Sequence, residues 1–352
     1  MFKVLCFVAI SSVSVAKATE IKQNAPEQYT VKKGDTLWQI AGMYLDQPWL
    51  WPKLWQKNPY IQNPHLIYPG DIIRLIKRPD GEIELELVRS EKRQVKLSPK
   101  TYKTIKVAEP IPALPWELLN SYIRKDMVIA TGDYESLPYL LGDQEGAVRF
   151  ATGDTVLGKH NSTGETQLKV IRARKEIFNH EGESLGLWVQ HISSAEQTSA
   201  NLDAGVLVEL KDAKQEVKPG DRLLPATAAE AQSNLALNAA TTQLGKIIAS
   251  LHDHALLGKY DIAILDLGAL DVEPGTVMGI YSQGPNIIDG DPIEYEEVEG
   301  LTNVSFIFND QIQQPALKVG ELVVFKVFDA SSFGLITSST KVIRSGSWVA
   351  KP

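Results

Sequence analysis

Between Lys57 and Asp71 the chain reads KNPYIQNPHLIYPGD, with three two-residue breakers inside it: Asn58-Pro59, Asn63-Pro64 and Pro69-Gly70. Proline fixes φ, removes a donor and pushes the residue before it out of helical geometry. The stretch is therefore neither a helix nor an interior strand. It nevertheless carries Tyr60, Ile61, Leu66, Ile67 and Tyr68, side chains that a solvated loop ordinarily avoids. A stiff loop lined with apolar groups serves two ends. It helps close a core too small to be stable by itself, and it presents a preordered wall to a ligand.

The flanks give that loop its setting. Upstream, QYTVKKGDTLWQIAGMYL begins with Tyr29 and Val31 in alternation, which predicts a short strand. Gly34-Asp35 turns the chain, Asp35 or Thr36 caps the helix that follows, and Thr36 with Gln39 fits a capping box. Leu37, Ile40, Ala41 and Tyr44 recur at the spacing of one helical face. Pro48 opens a second short helix that carries Trp51, Leu54 and Trp55 on one side. Asp71 to Ile76 returns as a strand. Residues 27–78 thus read as a strand–helix–helix–strand module. Its bends at Gly34–Leu37 and Leu66–Pro69 fit as facing walls of a shallow groove. Backbone amides on one wall and apolar faces on the other suit an N-acetyl sugar, which offers an amide to bond and a methyl to bury.

VKKGDTLWQIA, the Asn-Pro pair and HLIYPGDIIRLI together resemble a LysM domain, the module that binds the N-acetylglucosamine chains of peptidoglycan or chitin. The resemblance implies glycan contacts at Gly34, Asp35, Thr36 and Leu37 in the first bend and at Leu66, Ile67 and Tyr68 in the second. Residues 46–55, DQPWLWPKLW, depart from it in their tryptophan content. Core filling is the expected role for at least two of Trp38, Trp49, Trp51 and Trp55.

The first eighteen residues hold one lysine, an apolar run from Val4 to Val15 and Ala16-Lys17-Ala18. That pattern predicts a secretory signal cut after Ala18, with no membrane-spanning segment in the mature chain. Cys6, the single cysteine, lies inside it, so disulfides, thiolate metal sites and cysteine nucleophiles are excluded downstream. Charge shifts along the 352 residues. Residues 19–106 carry 15 Lys+Arg against 10 Asp+Glu, residues 107–225 carry 12 against 18, and residues 226–352 carry 7 against 15. A basic head on an acidic body points to two different partners, or to ordinary surface drift.

Residues 79–115 read as an alternating strand hairpin followed by the proline-rich spacer AEPIPALP. From 116 to 225, short apolar runs alternate with Gly/Asp turns, as in a mostly β domain. There VKPGDRLLP repeats the sense of IYPGDIIRL, a type II turn followed by a strand. It lacks the helices and Asn-Pro loop of a second module. The alanine-rich residues 226–243 read as a helical or flexible connector. Residues 244–350 supply five strand candidates for a small barrel or sandwich. The fold class is α+β: a βααβ module, then mostly β domains.

Chemistry is sparse. His252-x-His254 offers two imidazoles without an evident third ligand, the pattern of an exposed pair. The acidic run 289–300 lacks calcium-loop spacing, and Ser338-Ser339-Thr340-Lys341 lacks the companions of a serine acyl enzyme. No catalytic set, metal or cofactor is expected, and no nucleic-acid partner. The C-terminal stretch, with VEPGTVMGIY and LKVGELVVFKVFD, resembles the C-terminal domain of the flagellar protein FlgT. Joined to a LysM-like head, it is similar to the TsaP family of type IV pilus secretin-associated proteins. That resemblance implies a non-catalytic periplasmic scaffold that holds an outer-membrane secretin, or another envelope protein, to the cell wall. The alternatives are a wall hydrolase delivered by its binding module, or an envelope assembly factor unrelated to pili.

Overall fold

The computed structural model describes residues 21–51, 67–77, 83–88, 114, 125–159, 166–198, 205–226, 235, 237–289, 293–295 and 310–352. The predicted signal, Leu66, the Asn-Pro loop and most of the acidic run lie outside them. The chain divides into two compact units, Met1–Pro115 and Trp116–Pro352. Strands dominate, helices are few, and no helix among the described residues is long and apolar enough to cross a membrane.

In the first unit, β1 (Gln28–Thr30) leads to helix α1 (Leu37–Tyr44), a 3₁₀ turn (Pro48–Leu50), β2 (Ile72–Lys77) and β3 (Ile83–Val88). The sheet order is β1-β2-β3, all antiparallel, with Tyr29 opposite Ile73 and Leu75 opposite Leu85. α1 begins where predicted because Thr36 caps it reciprocally with Gln39. Its stripe of Leu37, Ile40, Ala41 and Tyr44 is buried against Trp51, Ile67 and Ile73. Pro48 opens the 3₁₀ turn, and the second predicted helix falls largely on residues outside those described. Trp38, Trp49 and Trp51 are buried, the first two stacked with ring centroids 6.2 Å apart. β3 extends the module's sheet by one strand.

The second unit holds β4 (Asp126–Ile129), helix α2 (Thr131–Ser136), β5 (Leu140–Gly142), β6 (Thr155–Gly158), β7 (Gln167–Phe178), β8 (Ser184–Gln197), β9 (Val206–Lys211) and β10 (Arg222–Pro225). It continues with β11 (Asn238–Ala239), β12 (Gly245–Ser250), β13 (Ile262–Leu265), β14 (Thr276–Ser282), β15 (Ile287–Asp289), β16 (Glu294–Tyr295), β17 (Asp310–Ile312), β18 (Leu317–Val327), β19 (Ser332–Ser339) and β20 (Trp348–Ala350). Within the alanine-rich stretch the described residues include the short strand β11, which pairs parallel with β14. Of the predicted runs, Ala147–Phe150 contributes only a bridge from Phe150 to Val217.

These strands form two barrels of the same topology. In the second, β12, β13, β19, β18, β14 and β20 follow one another, and β20 pairs with both β14 and β12 to close the ring. In the first, the order is β5, β6, β9, β8, β7 and β10, and a bridge between Tyr139 and Arg222 brings β10 back to β5. Numbered within each barrel, both run 1-2-5-4-3-6.

The match extends to single hydrogen bonds. Phe150 exchanges two backbone bonds with Val217, and Leu257 exchanges two with Ile343. Leu140 accepts from Gly220 and donates to Asp221, as Ile247 accepts from Gly346 and donates to Ser347. Leu210 donates to Asp154 O, as Ile336 donates to Asp261 O. One difference lies between strands 3 and 4, where the second barrel carries the small sheet β16-β15-β17 and the first a tight turn at Asn179–Glu183.

A single turn type shapes every unit. In Lys32–Asp35, Tyr68–Asp71, Ala151–Asp154 and Lys218–Asp221, the fourth residue donates its amide to the first carbonyl, and its carboxylate accepts from the first amide. The third residue is glycine at φ between 88° and 96° in each. An L side chain is strained there, whereas glycine is not.

Candidate functional site

The module's two bends are joined through one residue. Val31 donates its amide to the Asp71 carbonyl (2.8 Å) and accepts from the Gly70 amide (2.8 Å). Because Val31 enters the 32–35 turn and Gly70 sits at the tip of the 68–71 turn, these bonds hold the bends side by side.

Each bend is also locked internally. Asp35 accepts from the Lys32 amide (2.7 Å) and from the Tyr29 hydroxyl (2.9 Å). Burial, then the bond to Asp35 and its charge, raise the Tyr29 pKa, so the phenol stays a donor. Asp71 is buried and accepts from the Tyr68 amide at 3.0 Å. Thr36 accepts from the Gln39 amide and donates its own amide to the Gln39 side chain, both at 3.2 Å. Beneath them, the Tyr44 hydroxyl donates to the Ile73 carbonyl (3.3 Å). Burial first, with the neighbouring Tyr29, pushes its pKa up to about 12.

The predicted glycan residues therefore divide. Gly34 is exposed, and Asp35 and Tyr68 are half-buried at the rim. Leu37 and Ile67 point into the core, and Thr36 is buried by its capping role, so these three shape the bends without offering side chains to a ligand. Leu66 lies outside the described residues. Backbone groups carry what the buried side chains do not. The first amides of α1, at Leu37 and Trp38, have no carbonyl within their own helix and sit at its positive end. Sequence reasoning missed Val31 and Asp71, whose part is visible only once β1 and β2 are paired.

Other motifs resolve as structure. Ser339 donates to the Lys341 carbonyl (2.6 Å), Thr340 to that of Val319 (3.0 Å), and Ser338 stands opposite Glu321 in the ladder. The Ser339 and Thr340 hydroxyls thus bond backbone carbonyls at the end of the β18–β19 hairpin.

Comparison with known proteins agrees with the module's geometry. The LysM domain family model matches residues 29–75. An uncharacterized protein of Bacillus subtilis (strain 168), YqbP, is 38% identical over 63 residues, a match covering 15% of this chain and 29% of that protein. This chain thus spans less than a third of the relative's length. The capped turn at Gly34–Leu37, the Pro-Gly-Asp turn bonded to it and the family match converge: residues 29–75 are a LysM domain.

Proposed function

We propose that the protein is an exported, non-catalytic scaffold whose LysM domain grips the glycan strands of peptidoglycan while its double-barrel body engages another envelope protein. The observation that carries this reading is the pair of backbone bonds through Val31, which order both bends before a sugar arrives and so reduce the freedom lost on binding. An acetamide carbonyl accepts from the free amides at the start of α1. Its methyl lies against Tyr68 and the apolar edge of the second bend. A single module buries few atoms, so its affinity falls in the micromolar to millimolar range, roughly 4–8 kcal/mol.

The acidic body, and its likeness to the TsaP family, favour a type IV pilus secretin as the partner. A ring of such partners strengthens wall attachment through avidity. Sedimentation with purified sacculi tests the reading. Wild-type protein pellets, and Asp35→Ala combined with Tyr68→Ala stays in the supernatant with the body still folded. Equal pelleting of the double variant places the sugar contact elsewhere. Release of soluble muropeptides makes the protein a hydrolase instead. Crosslinking in cells that recovers no secretin removes the pilus assignment and leaves wall binding standing.

A further inference from the structure

The loop that joins strands 1 and 2 of the second barrel carries His252 and His254, and the turn after it carries Asp261. One donor atom from each lies within 4.8 Å of the other two. The imidazoles stack with centroids 5.4 Å apart, and His254 Nδ1 is 3.6 Å from Asp261 Oδ1. We propose that these three side chains bind one divalent transition-metal ion of the zinc class, with water completing the coordination.

The duplicated barrel separates what the fold requires from what has been added. In the first barrel the matching loop is Glu145-Gly146-Ala147. The Glu145 amide donates to Asp143 Oδ1 (3.1 Å), just as the His252 amide donates to Ser250 Oγ (3.2 Å). Gly146 has φ 76° and its counterpart Asp253 has φ 57°. The left-handed bend therefore belongs to the fold, and glycine is the residue that adopts it without strain. Asp154 and Asp261 likewise share a turn-locking role, Asp261 accepting from the Gly258 amide through Oδ2 (2.8 Å). His254 is matched by Ala147, which cannot ligate, and His252 by Glu145, a carboxylate in place of an imidazole. The second barrel has thus added two nitrogen donors beside a carboxylate that the turn already holds in place.

The remaining oxygen, Asp261 Oδ1, faces His254. A strained aspartate takes the glycine position and pairs outward with Lys175 of β7. Tetrahedral zinc needs its nitrogen donors about 3.3 Å apart. Rotation of two exposed imidazoles supplies that closure, while the carboxylate stays fixed. Two nitrogens and one oxygen suit zinc, nickel or copper far better than calcium or magnesium. The metal would tie the loop after β12 to the turn before β13.

Titration of the tag-free full chain with zinc alone, by calorimetry and by competition with a chromophoric chelator, tests the proposal. One equivalent binds with micromolar affinity, His254→Ala weakens binding at least tenfold, and Asp253→Gly leaves it unchanged. Asp261→Asn, which keeps an oxygen for the Gly258 amide, also weakens zinc. Unaltered affinity in His254→Ala, absence of binding at about 100 micromolar zinc, or equal binding of calcium overturns the assignment.

Discussion

Arg172 of β7 grips Asp221 with both prongs of its guanidinium, Nε to Oδ1 at 2.6 Å and Nη2 to Oδ2 at 2.7 Å. The same carboxylate accepts from the Lys218 amide (2.8 Å), and Arg172 Nη2 also reaches the Glu216 carbonyl (2.9 Å). The bond to Asp221 raises the Arg172 pKa against the opposing effect of burial. Asp221 is buried, and Arg172 is the cation that faces its carboxylate there. The pair fixes the turn from which β10 returns to close the first barrel. Arg172→Ala should cost about 3–5 kcal/mol in urea unfolding of the body, the usual scale for stranding a buried charge. A loss under about 1 kcal/mol would show the turn closes without it.

Lys326 gives a pH signature. It donates to the Asp126 carbonyl (2.6 Å), and burial first, opposed by the Asp126 charge, brings its pKa down to about 8. Between about 8 and the ordinary lysine value the unfolded chain holds a proton that the folded chain has released. Stability of the body therefore rises with pH across that window, and the burden of a buried cation is fully present below it. Lys326→Met should flatten this part of the stability–pH curve. An unchanged slope, measured by urea unfolding from pH 7.5 to 10.5, would assign the effect to other groups.

Gly70 sits at φ 96°, and an added Cβ would meet nothing within 4 Å. Gly70→Ala therefore tests backbone strain without a clash. A destabilisation of about 1–2 kcal/mol is expected in the LysM domain, with weaker sacculus binding as the two bends loosen. Full retention of both would mean that the turn has an alternative conformation.

Thr36 caps α1 from a buried position, and Thr36→Ser keeps the oxygen while Thr36→Ala removes it. The alanine variant should lose about 1 kcal/mol and the serine variant much less, as read by thermal melting followed through the tryptophans. Equal losses would show that the buried methyl, and not the cap, is what counts.

Much of the LysM domain could be read directly from the chain because its signals are local. The capping box at Thr36 and Gln39, the α1 stripe and the Pro69-Gly70 turn each act within a few residues. Val31 escaped notice because its role depends on pairing β1 with β2, some forty residues apart. The second unit was legible as strands and turns: β7, β9, β13, β14, β18 and β19 fall on predicted runs, and the 218–221 turn has the expected glycine geometry. β5, β6, β12 and β20 were missed, being short and drawn from segments rich in glycine or polar residues. The duplication was invisible for a related reason. It is written in backbone hydrogen bonds, which Leu140 and Ile247 or Asp221 and Ser347 make equally well despite differing side chains.

Both rings are sealed by pairing their first strand with their sixth, so neither can finish until its last strand has reached the compartment where the body folds. For the first ring that moment comes when β10 arrives, before β12 follows it. Arrival in chain order thus allows one half of the body to mature while the other is still entering, and limits the time in which open edges of both halves could mispair.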